Sequence, residues 1–272
     1  MRLEDATLAL EPRSVGAAID LAILFYRRHA VKLLSLSVLF GLLPVLIGGY
    51  RATHGDGWIW ALVLFFFGSA FLGAAVVAGA GHHVFGEEFT LKNTLRHLRR
   101  RLGSLLFWLP AARIVLALLG AMCWGLLWVP VGARYGFLSE VLVLEQLRGR
   151  KIAKRLEEIL KSTHVEACGR YFAIASFGLL VSTVLFLFLD LGSQVLFGVP
   201  IFLAKVSWAV AYEDVTNLLS YDPLLVSVLA STWWLVYPLA RLAWFFCYLD
   251  ARIRREGWDV EIAFRVEARR IA

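Results

Sequence analysis

Five apolar stretches, residues 30–50, 57–81, 103–147, 168–203 and 224–250, constrain this chain more than any other feature. A helix rising ~1.5 Å per residue needs roughly 17 to 25 mainly apolar residues to cross the hydrocarbon core of a bilayer. Every stretch reaches that length, and the one at 103–147 is long enough for two crossings. Of 272 residues, 60% are apolar and 18% charged. Soluble domains run at about half apolar and a quarter charged. Lipid is therefore the expected solvent for most of the chain.

The expected fold is all-α: a six-span helical bundle with spans at about 30–50, 58–81, 103–120, 122–146, 170–190 and 224–250. Together these form one membrane domain, 1–250, followed by a tail, 251–272. Splitting 103–147 requires a tight turn near Gly120 to Gly125, with Pro130 bending the fourth helix. A further apolar stretch, 195–212, is expected as an interfacial or re-entrant helix rather than a seventh span, beside Asp190, Glu213, Asp214 and Asp222.

Lys and Arg outside the spans orient the bundle, because basic loops stay in the cytoplasm. Alternate connections carry 23 basic residues on one side and only two, Arg51 and Lys205, on the other. Both termini are thus expected in the cytoplasm. The charged first 29 residues, with no small-residue cleavage site after the first apolar run, suggest a retained signal anchor rather than a cleaved peptide.

The net charge of +7 is accounted for by this topology and by anionic lipid headgroups, so no nucleic-acid partner is expected. Cys123, Cys168 and Cys247 are too few and too scattered for a disulfide framework or a metal site.

Ahead of spans one, three and five lie polar segments with helical periodicity. In 90–102, Leu91, Leu95, Leu98 and Leu102 form a stripe opposite Lys92, Arg96, Arg99 and Arg100. In 150–162, Ile152, Leu156, Ile159 and Leu160 oppose Lys151, Lys154, Arg155, Glu158 and Lys161. Residues 14–28 give a weaker version. Such helices lie in the headgroup plane, and their recurrence before pairs of spans reads either as a threefold repeat of helix plus hairpin or as the ordinary basic character of cytoplasmic loops.

Three segments carry a resemblance: Leu10 to His29 (LEPRSVGAAIDLAILFYRRH), Gly132 to Glu145 (GARYGFLSEVLVLE) with the basic run after it, and Tyr248 to Glu261 (YLDARIRREGWDVE). Together they resemble a family of bacterial six-span membrane proteins of unknown function, similar to the membrane domain that precedes some glycerophosphoryl diester phosphodiesterases. The resemblance covers under a third of the chain. It implies a six-helix bundle without assigned chemistry, since the phosphodiesterase His-Arg-Gly motif and its carboxylates do not occur. Ser139-Glu140 departs from the pattern, where an apolar pair or a proline is expected.

Charges inside spans cost roughly 2.5 to 3.5 kcal/mol each on insertion scales, so each is a functional candidate. Arg113, Arg134, Glu140 and Arg241 form the expected intramembrane polar cluster. Arg113, Glu140 and Arg241 fall at similar depth. They read either as a site for an anionic headgroup or solute, with Arg113 and Arg241 as donors, or as a buried cluster holding helices in register.

His82, His83, Glu87 and Glu88 lack the convergent spacing of metal ligands, no Ser or Cys is paired with a His and Asp for nucleophilic catalysis, and no cofactor is expected. Glycines 68 to 86 read as helix-packing positions. The tail alternates Trp258, Val260, Ile262 and Phe264 with polar residues, a strand-like pattern. A lone strand is unstable, so it is expected to add to a protein partner, the competing reading being a short helix or disordered tail. The expected function is a non-enzymatic membrane scaffold or regulatory or assembly subunit, its rival a transporter or lipid-handling protein.

Overall fold

A computed structural model describes residues 14–256 apart from 85, 87, 123, 124, 126, 148, 162 and 207–211. Among the described residues the regular structure is helical throughout, with no strand. In chain order the helices are α1 (Val15–Arg28), α2 (Ala30–Ala52), α3 (Gly57–Val84), α4 (Leu91–Arg99), α5 (Leu102–Met122), α6 (Trp128–Gly136), α7 (Leu138–Val143), α8 (Arg150–Leu160), α9 (His164–Phe197), α10 (Leu203–Val206), α11 (Tyr212–Tyr221) and α12 (Pro223–Glu256). Five of them, α2, α3, α5, α9 and α12, are long and apolar enough to cross a membrane. This is the make-up of a multi-pass membrane protein. Apolar side chains of α2, α5 and α9 such as Leu43, Leu118, Phe188 and Val195 are exposed, as lipid-facing residues must be.

The short polar helices start where capping chemistry allows. The Ser14 side chain accepts from the Ala17 backbone N–H and opens α1, which closes on Arg27 and Arg28. The Thr90 side chain accepts from the Asn93 N–H and opens α4. Each satisfies an otherwise unpaired donor of a first turn.

Two compact units divide the chain. The first comprises the residues up to Leu33, Gly73–Ala175 and those from Leu239 onward; the second comprises Leu34–Leu72 and Ser176–Pro238.

In the first unit, α5 packs against α6 and α7, and α8 against α6 and α7. All ten residues 241–250 of α12 are buried, as are all six of α7. Trp244 is the centrepiece. It stacks on Phe137 with ring centroids 4.6 Å apart and meets Tyr171 edge-on at 5.4 Å. It lies so close to Gly136 that a Cβ there would stand 2.6 Å from its ring nitrogen.

In the second unit, Trp234 on α12 fills the space left by two glycines, Gly41 on α2 and Gly68 on α3, either of which would clash at 2.7 Å if given a Cβ. Asp190, buried on α9, accepts from the backbone N–H groups of Ile201, Phe202 and Leu203 at 2.8–3.1 Å and so anchors the start of α10. Asp222 caps α12 through the Leu224 and Leu225 N–H groups and pairs with Lys205.

Several expectations need correction. Residues 122–146, expected as one continuous span, form α6 and α7, broken at Phe137 (φ −87°, ψ 6°). Pro130 bends nothing: it occupies the first turn of α6, where the N–H it lacks has no intrahelical partner to lose. The expected turn before it is present, with Gly125 at φ +82° and its N–H bonded to the Gly120 carbonyl. Helix α12 runs to Glu256, past the expected boundary at 251.

The apolar stripe of α8, expected to face lipid headgroups, is buried within the protein at Ile152, Leu156, Ile159 and Leu160. That of α4 buries only Leu98, with Leu95 exposed. Within 195–212, α9 ends at Phe197 and the single turn α10 covers Leu203–Val206, while 207–211 lie outside the described residues.

Candidate functional site

Two of the four charges expected to meet do so. Glu140, fully buried on α7, accepts from Arg241 Nη2 at 2.5 Å, and Arg241 Nη1 donates to the Gly136 carbonyl at 3.0 Å. The helix break at Phe137 puts both acceptors on the guanidinium: Gly136 ends α6 and Glu140 lies in α7. Arg113 is half-buried and partnered on α5, and Arg134 on α6 is exposed. Neither takes part in the Glu140–Arg241 contact. Arg241 is therefore neutralised by a carboxylate of the same unit. Removing one member of such a pair leaves the other charge buried without compensation, whereas within the pair each charge has its counter-ion.

The rest of the polar network lies further along α12 and was not expected from the sequence. Glu145 accepts from Arg155 Nε and from the Tyr248 hydroxyl, both at 2.6 Å, with Arg252 3.8 Å away. A second group closes into a ring of alternating charges: Arg170 bridges Asp250 (2.5 Å) and Glu166 (2.6 Å), and Arg254 bridges the same two carboxylates at 3.1 and 3.7 Å. This ring borders a cavity of about 160 Å³ lined also by Phe137, Thr163 and Cys247. The four charges of the ring sum to zero and clamp α9 to α12, and Arg255 also lines the cavity.

Glu145, Tyr248 and Asp250 lie inside the segments quoted for the family resemblance, and Arg170 lies outside them. Spacing on α12 signals only Tyr248, since 241, 248 and 252 fall near one helical face and Asp250 falls on the opposite one.

Four of the six histidines form two pairs. His82 stacks on His97 at 3.7 Å, and His29 meets His83 at 4.6 Å among Phe25, Phe89 and Phe246. Burial, reinforced by His83, Lys32 and Arg28, lowers the His29 pKa to about 4. Among the described residues no group of three or more His, Cys, Asp or Glu could hold a metal ion.

Cys168 Sγ lies 3.5 Å from His164 Nδ1, one turn away on α9, a pairing that the sequence reading did not include. Cys168 and Cys247 are free thiols; Cys123 lies outside the described residues. On the other loops, the Arg51 guanidinium beside Asp56 holds that carboxyl below the usual carboxylate range. The expected partner-binding positions Trp258, Val260, Ile262 and Phe264 also lie outside the described residues.

The fold and this network define a helical multi-pass membrane protein whose polar interior is built of guanidinium–carboxylate pairs. Comparison with protein-family models, curated proteins and solved structures gives no match for the chain.

Proposed function

We propose that this protein is a non-enzymatic scaffold or assembly subunit of a bacterial cytoplasmic membrane, crossing it six times with both termini inside. The observation that carries the reading is the pairing of Arg241 with Glu140 and the Gly136 carbonyl: the deepest cation is spent on the protein itself rather than held for a cargo. A charge kept for an anionic solute would need open donors facing a cavity.

The sixth crossing is assigned to α6 and α7 together. Five crossings would leave the termini on opposite sides and export one group of basic residues, against the strong bias in their distribution. Interrupted helices are tolerated at membrane depth where their backbone is buried in protein, and α7 is buried throughout.

Exposed basic residues of α1, α4 and α8, including Arg27, Arg28, Arg99 and Lys154, form a cytoplasmic collar for anionic lipid headgroups. The tail beyond Gly257 takes the role of docking a protein partner. Membership of the six-span family resembling the phosphodiesterase membrane domain belongs to the same proposal, with no enzymatic step assigned.

The test is purification of the intact protein in mild detergent with mass spectrometry of what accompanies it, beside a chain truncated after Gly257. Stoichiometric protein partners lost on truncation are the expected result. Isolation alone with one anionic lipid or solute, released by Arg241→Ala, would replace the scaffold with the lipid-handling or transport reading.

A further inference from the structure

Three buried polar atoms surround the Glu140–Arg241 pair without a hydrogen-bond partner: Glu140 Oε1, Arg241 Nε and Trp244 Nε1. Their residues are 0%, 7% and 4% exposed. All three belong to one corner of the first unit. Arg241 and Trp244 stand three residues apart on the same face of α12. Each meets Gly136, Arg241 through the carbonyl it bonds and Trp244 through the ring nitrogen packed over the glycine. Glu140 follows one turn later and holds Arg241 through its other oxygen.

A buried polar atom left unsatisfied costs about 1–3 kcal/mol, and three in one place call for a common partner. The set specifies that partner's chemistry. Two N–H groups need an acceptor and one carboxylate oxygen needs a donor. An anion would satisfy the donors but face Glu140. A cation would satisfy the carboxylate but face the guanidinium and the indole N–H. An apolar group would satisfy nothing. Glycine at 136, with the indole nitrogen close over its α-carbon, leaves little room.

We propose that Glu140, Arg241 and Trp244 enclose a site for a single water molecule, which accepts from Arg241 Nε and Trp244 Nε1 and donates to Glu140 Oε1. Buried waters typically make about three hydrogen bonds to protein groups otherwise unsatisfied. The water converts a single-contact ion pair into a closed ring and fixes the Trp244 ring that α6 and α7 pack around. The inference concerns the interior of the first unit and stands apart from the scaffold reading.

The test is an experimental structure of the wild-type protein in lipid nanodiscs at about 2 Å or better, so no variant has to fold. The expected result is one isolated density peak about 2.6–3.2 Å from all three atoms. Absence of the peak, with the three atoms paired to protein groups, overturns the proposal, as does density larger than a water. A second structure, of Trp244→Phe, removes one of the three partners. Loss or displacement of the peak supports the indole's part, whereas a peak unmoved from its wild-type position removes Trp244 from the site.

Discussion

Arg241 and Glu140 each carry a charge that hydrocarbon penalises, and the contact between them decides what a substitution costs. Arg241→Ala leaves the Glu140 carboxylate buried without its counter-ion, and a loss of about 3–5 kcal/mol is expected. Replacing both, as Glu140→Gln with Arg241→Met, should cost less than Arg241→Ala alone, because no uncompensated charge remains. Unfolding of the purified variants in detergent measures both.

The glycines under tryptophan give a second expectation. A Cβ at Gly41 or Gly136 would lie within 2.7 Å of an indole ring, whereas at Gly103 it would meet nothing within 4 Å. Gly41→Ala and Gly136→Ala should therefore lose about 1–3 kcal/mol by overpacking. Gly103→Ala should be neutral or slightly stabilising, as read by thermal aggregation of the three proteins side by side.

At this scale the sequence put Glu140 and Arg241 in one cluster, and the two are in contact. It grouped Arg113 with them by depth and Arg134 as a further charge within a span, because residue counts show depth but not helical phase across a break at Phe137.

Among the elements, α8 shows how a sequence pattern can be right about shape and wrong about surroundings. Its stripe and its charged face occur as read, but the stripe is buried on protein and Arg155 reaches across to Glu145. Hydropathy alone does not distinguish a lipid surface from a protein one. Glu145→Ala should leave the fold intact and loosen α8, raising amide hydrogen exchange over 150–160 while leaving 203–206 unchanged.

The break between α6 and α7 was equally hidden, since the run 122–146 is mainly apolar and the rings close to Gly132 and Gly136, Tyr171 and Trp244, come from α9 and α12.

The packing of α1 on α3 carries a pH dependence. His29 has its pKa lowered from 6.5 to about 4, so the folded state resists a proton that the unfolded chain accepts. Stability from this group is complete above about pH 6.5 and falls as pH drops toward 4, then levels off. Partial exposure screens the effect to about 1–2 kcal/mol. A His29→Gln variant should show a shallower fall in melting temperature between pH 6.5 and 4 than the wild type.

For the molecule as a whole, helical class and crossing helices were legible because the bilayer imposes a length and a composition that no soluble fold shares. Five helices are long and apolar enough to cross a membrane. The sixth rests on charge. Basic residues count 23 on one set of connections against two on the other, and an odd number of crossings would break that division.

The polar network along α12 was less legible, because its members are spread over α7, α8, α9 and the connections between them, and only the folded chain brings them to one helix. The topology is tested most directly by a membrane-impermeant maleimide on intact cells, with the three native cysteines replaced and single cysteines introduced. Thr53→Cys and Ser220→Cys should label from outside, while Lys92→Cys and Arg255→Cys should label only after the cells are opened. Labelling of Arg255→Cys from outside would mean that α6 and α7 do not return the chain across the membrane, and the six-crossing topology would be wrong.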